Sequence, residues 1–482
     1  MPRPPALRKY QKRAVSFLKK NNGGAVFLRP GAGKTAITLT YLRSWFKENP
    51  EKKVLVIGPL NVVYDAWEEE PKKWFSTLKV FNLHREAYQP GYQLYLINPN
   101  QFVRQISNRW MREFSGLIVD ESTMFKTVDS QRTEKYHRFI DVVPLEMSMI
   151  LTGTPYTKNL LDIYCPYYAI DRKRLGPDYY FYRGKFFEPD STGRKWEPKE
   201  GAQEEIVRRL SHKSFILTEK EEAEIGYPET VFNDLYFKLD PKNWKIYSKF
   251  QQDLILELDT KTIDKSHHAN KVYTGAVTYN YCSQFVQGNF YEPVFKKIPH
   301  PKKEGETKLK KVGNNINFAH NLRLDVLKNL LDVLNGDPLF VIYNFTSDLT
   351  LFKKLKLKPS EYAIVKGGMS PTEVKAILKK WNEGKLICVF AQIKTVSHGL
   401  NLQFGGSNIC YFSCPDDYEL YFQSLHRLVR PGARKRFVTI HRIICRYTVD
   451  EIRRLQILEG KEYGAKEFNT ALRNFSKRMK VA

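Results

Sequence analysis

Ala25-Val26-Phe27-Leu28-Arg29-Pro30-Gly31-Ala32-Gly33-Lys34-Thr35-Ala36-Ile37-Thr38-Leu39-Thr40 is the stretch on which the fold turns. An apolar run leads into a loop with two glycines. Lys-Thr follows, and then a helix-like pattern. Strand, glycine loop, Lys-Thr, helix is a way to hold a nucleoside triphosphate. Glycines let backbone N–H groups approach phosphate oxygens, and a helix N-terminus adds partial positive charge. Lys34 would reach the β/γ-phosphates and Thr35 would hold Mg²⁺. The full pattern places a glycine five residues before Gly33, where this chain has Leu28. Read alone, the run is also compatible with an ordinary loop.

Outward from the loop, short apolar runs alternate with longer helical patterns through residue 165. Val54-Leu55-Val56-Ile57, Leu94-Tyr95-Leu96-Ile97, Gly116-Leu117-Ile118-Val119-Asp120 and Met149-Ile150-Leu151-Thr152 read as buried strands. Apolar strands separated by helices predict a parallel sheet covered on both faces. The pattern breaks over 166–235. Residues 236–290 read as helical, and 296–315, rich in Lys with Pro299, Pro301, Gly305 and Gly313, as an exposed basic linker. Alternation resumes with Leu322–Leu334 as an amphipathic helix. Strands are expected at 338–343, 386–390, 408–412 and 437–440. The expectation is an α/β protein of two lobes: 1–165, a connecting segment packed on it over 166–235, a helical insertion and basic linker over 236–318, and a second lobe over 319–482.

Composition narrows the partners. The chain has 482 residues, with 78 Lys+Arg against 52 Asp+Glu, a formal net charge of +26. That excess favours a polyanion, most directly nucleic acid. No basic amphipathic anchor supports an anionic membrane instead, and a merely soluble charged surface is the remaining alternative. No apolar run reaches eighteen residues, and Met1-Pro2-Arg3-Pro4-Pro5 lacks a signal-peptide core, so a cytoplasmic protein is expected (in the host cytoplasm if viral). The six cysteines form no C-x-x-C pair and read as buried thiols, and His267-His268 as a solvated pair.

Asp120-Glu121-Ser122-Thr123 puts two carboxylates at the end of a buried strand, the edge where ligands sit in open α/β sheets. Asp120 would hold Mg²⁺ through water, and Glu121 would orient and deprotonate an attacking water. Alone, the pair is equally a solvated turn or helix cap. Gln423, Arg427 and Arg430 fall at i, i+4 and i+7, one face if the segment is helical. By itself that is an ordinary basic surface.

Taken in order, the phosphate loop, Asp-Glu-Ser-Thr and Leu151-Thr152-Gly153-Thr154-Pro155 resemble superfamily-two helicases and translocases, the last run especially the Swi/Snf-like branch. Leu7-Arg8-Lys9-Tyr10-Gln11 resembles that branch's adenine-reading segment. Gly58-Pro59-Leu60 with Trp67, Glu70 and Trp74 is similar to the motif bordering its nucleic-acid track. Ser214–Thr218 through Pro228, with Leu239-Asp240-Pro241, resembles the joint between lobes. In the second half, Pro338–Thr346, Ser397-His398-Gly399-Leu400-Asn401-Leu402-Gln403 and Gln423–Arg430 resemble further motifs, the last with arginine-finger spacing. The match runs from Leu7 to about Glu451. Departures are Ser122-Thr123 where Ala-His is usual, His398, and Pro431-Gly432-Ala433 after the second arginine.

The resemblance implies two tandem RecA-like lobes and an ATP- and Mg²⁺-dependent motor of compact phage or prokaryotic type. It assigns Gln11, Arg8, Gly31, Ala32, Gly33, Lys34, Thr35 and Gly399 to nucleotide binding, and Lys34, Asp120, Glu121, Arg427 and Arg430 to catalysis. Thr35 and Asp120 would hold the metal; Thr152, Thr154 and Gln423 would couple the lobes. DNA, duplex or branched, is the expected track, with Arg8, Lys9, Lys12, Arg13, Lys394, Arg434, Lys435 and Arg436 as candidate backbone contacts. A strand-separating helicase on DNA or RNA stays open beside it, as does a non-catalytic nucleic-acid-binding module, which the retained site residues disfavour. The oligomeric state is open, a monomer being compatible.

Overall fold

A computed structural model describes residues 5–153, 155, 160–190, 193, 196–249, 275–299, 307–396 and 401–454. Thr154, the run Ser397–Leu400 with Gly399, and His267-His268 lie outside the described residues.

The first lobe is built on strands β1 (Gly23–Phe27), β2 (Val54–Ile57), β3 (Val80–Asn82), β4 (Leu94–Ile97), β5 (Gly116–Asp120) and β6 (Met147–Thr152). The short strands β7 (Phe187–Pro189) and β8 (Trp196–Pro198) pair antiparallel beside it. β9 (Ser214–Ile216) joins the main sheet, giving the order β3-β4-β2-β5-β6-β1-β9. Every pairing in it is parallel. The central strands are buried on both sides, so they read as continuous apolar runs rather than alternating ones. Leu55, Ile57, Leu117 and Val119 pack into one core and Val54, Val56 and Ile118 into the other. The helices Lys9–Asn21 and Lys34–Glu48 cover the second face through Ala14, Leu18, Ile37 and Trp45; Tyr136 and Phe139 of helix Gln131–Val142 cover the first.

The second lobe has strands β10 (Glu229–Phe237), then, beyond the hairpin β11 (Asn289–Pro299) and β12 (Thr307–Phe318), strands β13 (Leu339–Tyr343), β14 (Tyr362–Val365), β15 (Cys388–Gln392), β16 (Asn408–Tyr411) and β17 (Phe437–Cys445). Its sheet order is β10-β17-β16-β13-β15-β14, again parallel throughout. Phe340 and Ile342 face one core; Leu339, Val341 and Tyr343 face the other. The α/β class with two parallel-sheet lobes is therefore as the sequence predicts.

Two expectations change. Residues 166–235 are not packed on the first lobe alone: β9 extends the first sheet beside β1, while β10 runs along β17 for nine residue pairs and extends the second. The physical reason is backbone pairing: β9 and β10 give the N–H and C=O groups of β1 and β17 ladder partners on their outer sides. The described residues of 296–315 are not a linker. Residues 289–299 and 307–318 pair as antiparallel strands whose register shifts between Val294 and Phe295, after a helix at Gly275–Gln287. The apolar residues Val294, Phe295, Ile298, Leu309, Val312 and Ile316 follow no clean alternation, so the pairing is not announced by the pattern, and Pro299 falls at a strand end, where a proline is tolerated. Among the described residues no helix is long and apolar enough to cross a membrane.

Candidate active site

In a parallel sheet all strands finish at one edge, so β1, β5 and β6 deliver their following loops to the same place. The loop after β1 turns on Gly31 (φ 86°) and Gly33 (φ 83°), left-handed conformations that favour glycine. A side chain at Gly33 would also collide with the Gln11 amide. Helix Lys34–Glu48 starts directly after Gly33. The preceding helix braces the loop from beneath: the Tyr10 hydroxyl donates to the Ala32 carbonyl at 2.8 Å and the Gln11 amide reaches it at 3.4 Å. The Arg8 N–H donates to Gln11 Oε1 at 2.9 Å, fixing the amide's direction.

The cleft between lobes holds a cavity of 340 Å³. Gln11, Gly31, Gly33, Lys34, Thr35, Asp120 and Glu121 line it from the first lobe, and Asn401, Arg427 and Arg430 from the second. The structure thus brings together seven of the predicted nucleotide and catalytic residues of the first lobe and both predicted arginines. Ala32 is buried beneath the loop, and Arg8 stands outside the lining, its guanidinium donating to the Ile225 carbonyl at 2.9 Å.

Three cations and two carboxylates share this space, and burial dominates their electrostatics. Lys34 donates to the Leu28 carbonyl at 2.9 Å. Burial lowers its pKa, while Glu121 and Asp120 oppose the shift. Burial, then the neighbouring Glu121, raises the Asp120 carboxyl. Burial and Arg427 together disfavour the Arg430 charge. A bound polyanion relieves the arginines and the lysine, and a cation relieves the carboxylates. Asp120 Oδ2 accepts the Trp67 indole N–H at 2.9 Å and Oδ1 accepts the Glu121 N–H at 3.1 Å. Glu121 itself has φ 54°, a left-handed conformation unusual outside glycine.

Two local expectations are corrected. The helix Tyr418–Leu425 stops before the arginines: Arg427 N–H bonds back to Ser424 O and Leu428 N–H to Leu425 O, a tight turn ahead of Pro431. Gln423, Arg427 and Arg430 therefore do not share one helical face. Gln423 lines a second cavity of 520 Å³ instead, together with Pro59, Leu60, Arg104, Arg132 and Glu419. Glu70 and Trp74 line the nucleotide cavity and Trp67 holds Asp120, so only Pro59 and Leu60 of that motif reach the neighbouring cavity. The reason is the chain's path, which turns back along the helical stretch 60–74 from one cavity to the other. Glu121 lines both cavities.

Thr152 is buried, and its carbonyl accepts the Leu28 N–H at 3.1 Å, setting the third motif beside the phosphate loop. Lobe-to-lobe contact is dense here. Arg29 Nη2 lies 3.4 Å from His426 Nε2, and a Cβ at Gly31 would stand 3.0 Å from Pro431 Cδ. Asn401 accepts from Arg430 Nη1, a role that sequence reasoning missed although the Gly-Leu-Asn-Leu pattern contained it. Of the proposed backbone contacts, Arg13 pairs with Glu221, Lys435 with Asp337 and Arg436 with Glu229, whereas Lys9, Lys12 and Lys394 are exposed.

Comparisons with known proteins bear on the family of the chain. The SNF2-related domain matches residues 10–284 and the helicase conserved C-terminal domain matches 322–432. "Putative protein p41" of Acyrthosiphon pisum secondary endosymbiont phage 1 is 26% identical, over 92% of this chain and 94% of its own length. An "Uncharacterized ATP-dependent helicase" of Mycoplasma pneumoniae is 24% identical over 92% of this chain, which spans 40% of that protein. A solved Sulfolobus solfataricus SWI2/SNF2 ATPase core in complex with dsDNA aligns with 98% of the chain at 19% identity and a TM-score of 0.44. With the SNF2-related match covering more than half of its length, the chain belongs to the SNF2-related family of helicase-like ATPases.

Proposed function

We propose that this SNF2-type ATP hydrolase is a nucleic-acid-stimulated motor that translocates on DNA, duplex or branched, by closing and reopening its two lobes around ATP. The observation that carries the reading is the divided cavity, with Lys34, Thr35, Asp120 and Glu121 on one wall and Asn401, Arg427 and Arg430 on the other. The net charge of +26 suits a polyanionic track. Six buried, unpaired cysteines fit a reducing compartment such as the cytoplasm.

In this reading the loop N–H groups and Lys34 hold the β/γ-phosphates, Lys34 leaving the Leu28 carbonyl to do so. Gln11 sits at the cavity wall in position to read the base. Glu121 takes the proton of the attacking water, and Arg427 and Arg430 stabilise charge spreading over the transferred phosphoryl group. Thr35 and Asp120 supply hard oxygen donors on one wall, a set that suits Mg²⁺ completed by water and phosphate. When bound, that ion neutralises phosphate charge. Burial and Glu121 raise the Asp120 carboxyl, and a cation held there would favour its charged form.

ATP hydrolysis measured against blunt duplex, single-stranded DNA, branched DNA and RNA at fixed salt tests the proposal. Duplex or branched DNA is expected to stimulate most, without displacement of a strand from a tailed duplex. No hydrolysis with any polymer overturns the motor reading, and efficient strand displacement moves it to a helicase.

A further inference from the structure

Outside the nucleotide cavity, a link between the lobes centres on Glu419. This residue lies in the helix Tyr418–Leu425 of the second lobe. One carboxylate oxygen accepts the Thr123 hydroxyl of the first lobe and the Gln423 amide at 3.2 Å. The other accepts Lys126 Nζ, also of the first lobe, at 3.0 Å. The Glu419 side chain is 16% exposed and that of Lys126 19%, so the pair is shielded rather than a surface bridge. Burial raises the Glu419 carboxyl, while Lys126 and Thr123 pull it back.

What these partners hold is the catalytic strand end. The left-handed backbone of Glu121 leads directly into a tight 3₁₀ turn, Ser122–Phe125. The Glu121 carbonyl accepts the Met124 N–H at 3.2 Å, and the Thr123 carbonyl accepts the Lys126 N–H at 3.2 Å. Thr123 and Lys126 thus sit within and at the end of the turn that sets Glu121. Both are gripped by one carboxylate from across the cleft. A non-glycine residue at φ 54° costs on the order of 1 kcal/mol or more and persists only when its surroundings fix it. The Ser122-Thr123 departure from the usual Ala-His supplies the hydroxyl that makes this grip.

We propose that Glu419 is a positioning residue that ties the Thr123–Lys126 turn, and through it Glu121, to closure of the second lobe. The inference rests on the motor reading above. With the lobes apart, the turn loses both bonds to Glu419, and Glu121 relaxes from the hydrolytic geometry. Because Glu419 and Glu121 also line the 520 Å³ cavity, a nucleic acid that favours closure there tightens the same turn. Hydrolysis is thereby withheld until both lobes engage.

The test uses the full chain with Glu419→Ala, Glu419→Gln, Thr123→Val and the double variant Thr123→Val/Glu419→Ala. Glu419→Ala is expected to lower DNA-stimulated kcat by about 10- to 100-fold, the range of a charge-assisted buried hydrogen bond, with KM for ATP changed less than about threefold. Glu419→Gln keeps an acceptor for Thr123 but loses the charge facing Lys126, and should fall between. The double variant should lose no more than Glu419→Ala alone. A kcat within about twofold of the parent protein, additive losses, or a parallel fall in Tm and ATP affinity overturns the inference. If the parent protein is stimulated by no polymer, the motor reading fails, while the same variants compared in basal single-turnover hydrolysis still decide the role of Glu419.

Discussion

The two lobes share an all-parallel sheet, yet they bring their chemistry to the cleft by different means. In the first lobe all the candidate groups but Gln11 stand at or just after a strand end, where the sheet itself sets direction: Gly31–Thr35 after β1, Asp120 closing β5, Thr152 closing β6. In the second lobe the groups ride on turns between elements. Arg427 and Arg430 leave a helix that stops at Leu425, and Arg430 is held by the His426 carbonyl at 2.8 Å and by Asn401. The first lobe presents the glycine loop, Lys34 and both carboxylates on one wall. The second presents two arginines, and burial disfavours the Arg430 charge. Under the proposed function, phosphate binding falls to the loop and Lys34, and rate to Glu121 and to the arginines across the cleft.

The hardest test of that division is Arg427→Ala or Arg430→Ala. Either should lower kcat by about 10³- to 10⁵-fold, as for other arginine fingers, with ATP affinity nearly retained; a comparable loss of affinity breaks the comparison. Glu121→Gln should cost about 10²- to 10⁴-fold in single-turnover hydrolysis and still bind ATP, since a general base acts in the reacting complex. Lys34→Ala should do the reverse, weakening ATP binding by on the order of 10²-fold in equilibrium titration through loss of a buried charge contact. A Lys34 variant that binds normally but hydrolyses slowly would move the lysine into the rate-setting group.

The smallest effect concerns the framework of the second lobe. Asp348 is fully buried, and burial pushes its carboxyl up to about 7. An acid whose folded value exceeds its unfolded value of 3.8 destabilises the fold in its charged form. That penalty is fully present above about 7 and fades as pH falls toward 3.8. Asp348→Asn should therefore raise Tm at pH 8 and give a smaller gain at pH 5, read by thermal melts. An equal gain at both values would show that the carboxylate is solvated.

Legibility followed burial. Strands such as Val54–Ile57 and Leu339–Tyr343 are enclosed on both faces, and their unbroken apolar runs announce them. The edge strand Val80–Asn82 spans three residues and ends on Asn, and Tyr362–Val365, though apolar, is half-buried at its first three positions and too short to stand out. Strand β10 is mostly exposed along its length, so its membership of the second sheet depends on β17, two hundred residues later. The strand pair 289–299 and 307–318 was hidden by its lysines, because charge reads as linker until a pairing partner is known.

The sequence by itself determined the phosphate loop, the Asp-Glu strand end, the two-arginine signature and the order in which they occur. Each is local, written in a few consecutive residues whose backbone geometry follows from glycine, proline and strand burial. Only the tertiary structure decided that Gln423 parts company with Arg427 and Arg430, that Trp67 restrains Asp120, and that Glu419 reaches Thr123 and Lys126. The Trp67 and Glu419 bonds join residues 53 to 296 positions apart. The first depends on how the chain folds back within one lobe and the second on how two sheets meet, and no local pattern along the chain encodes either.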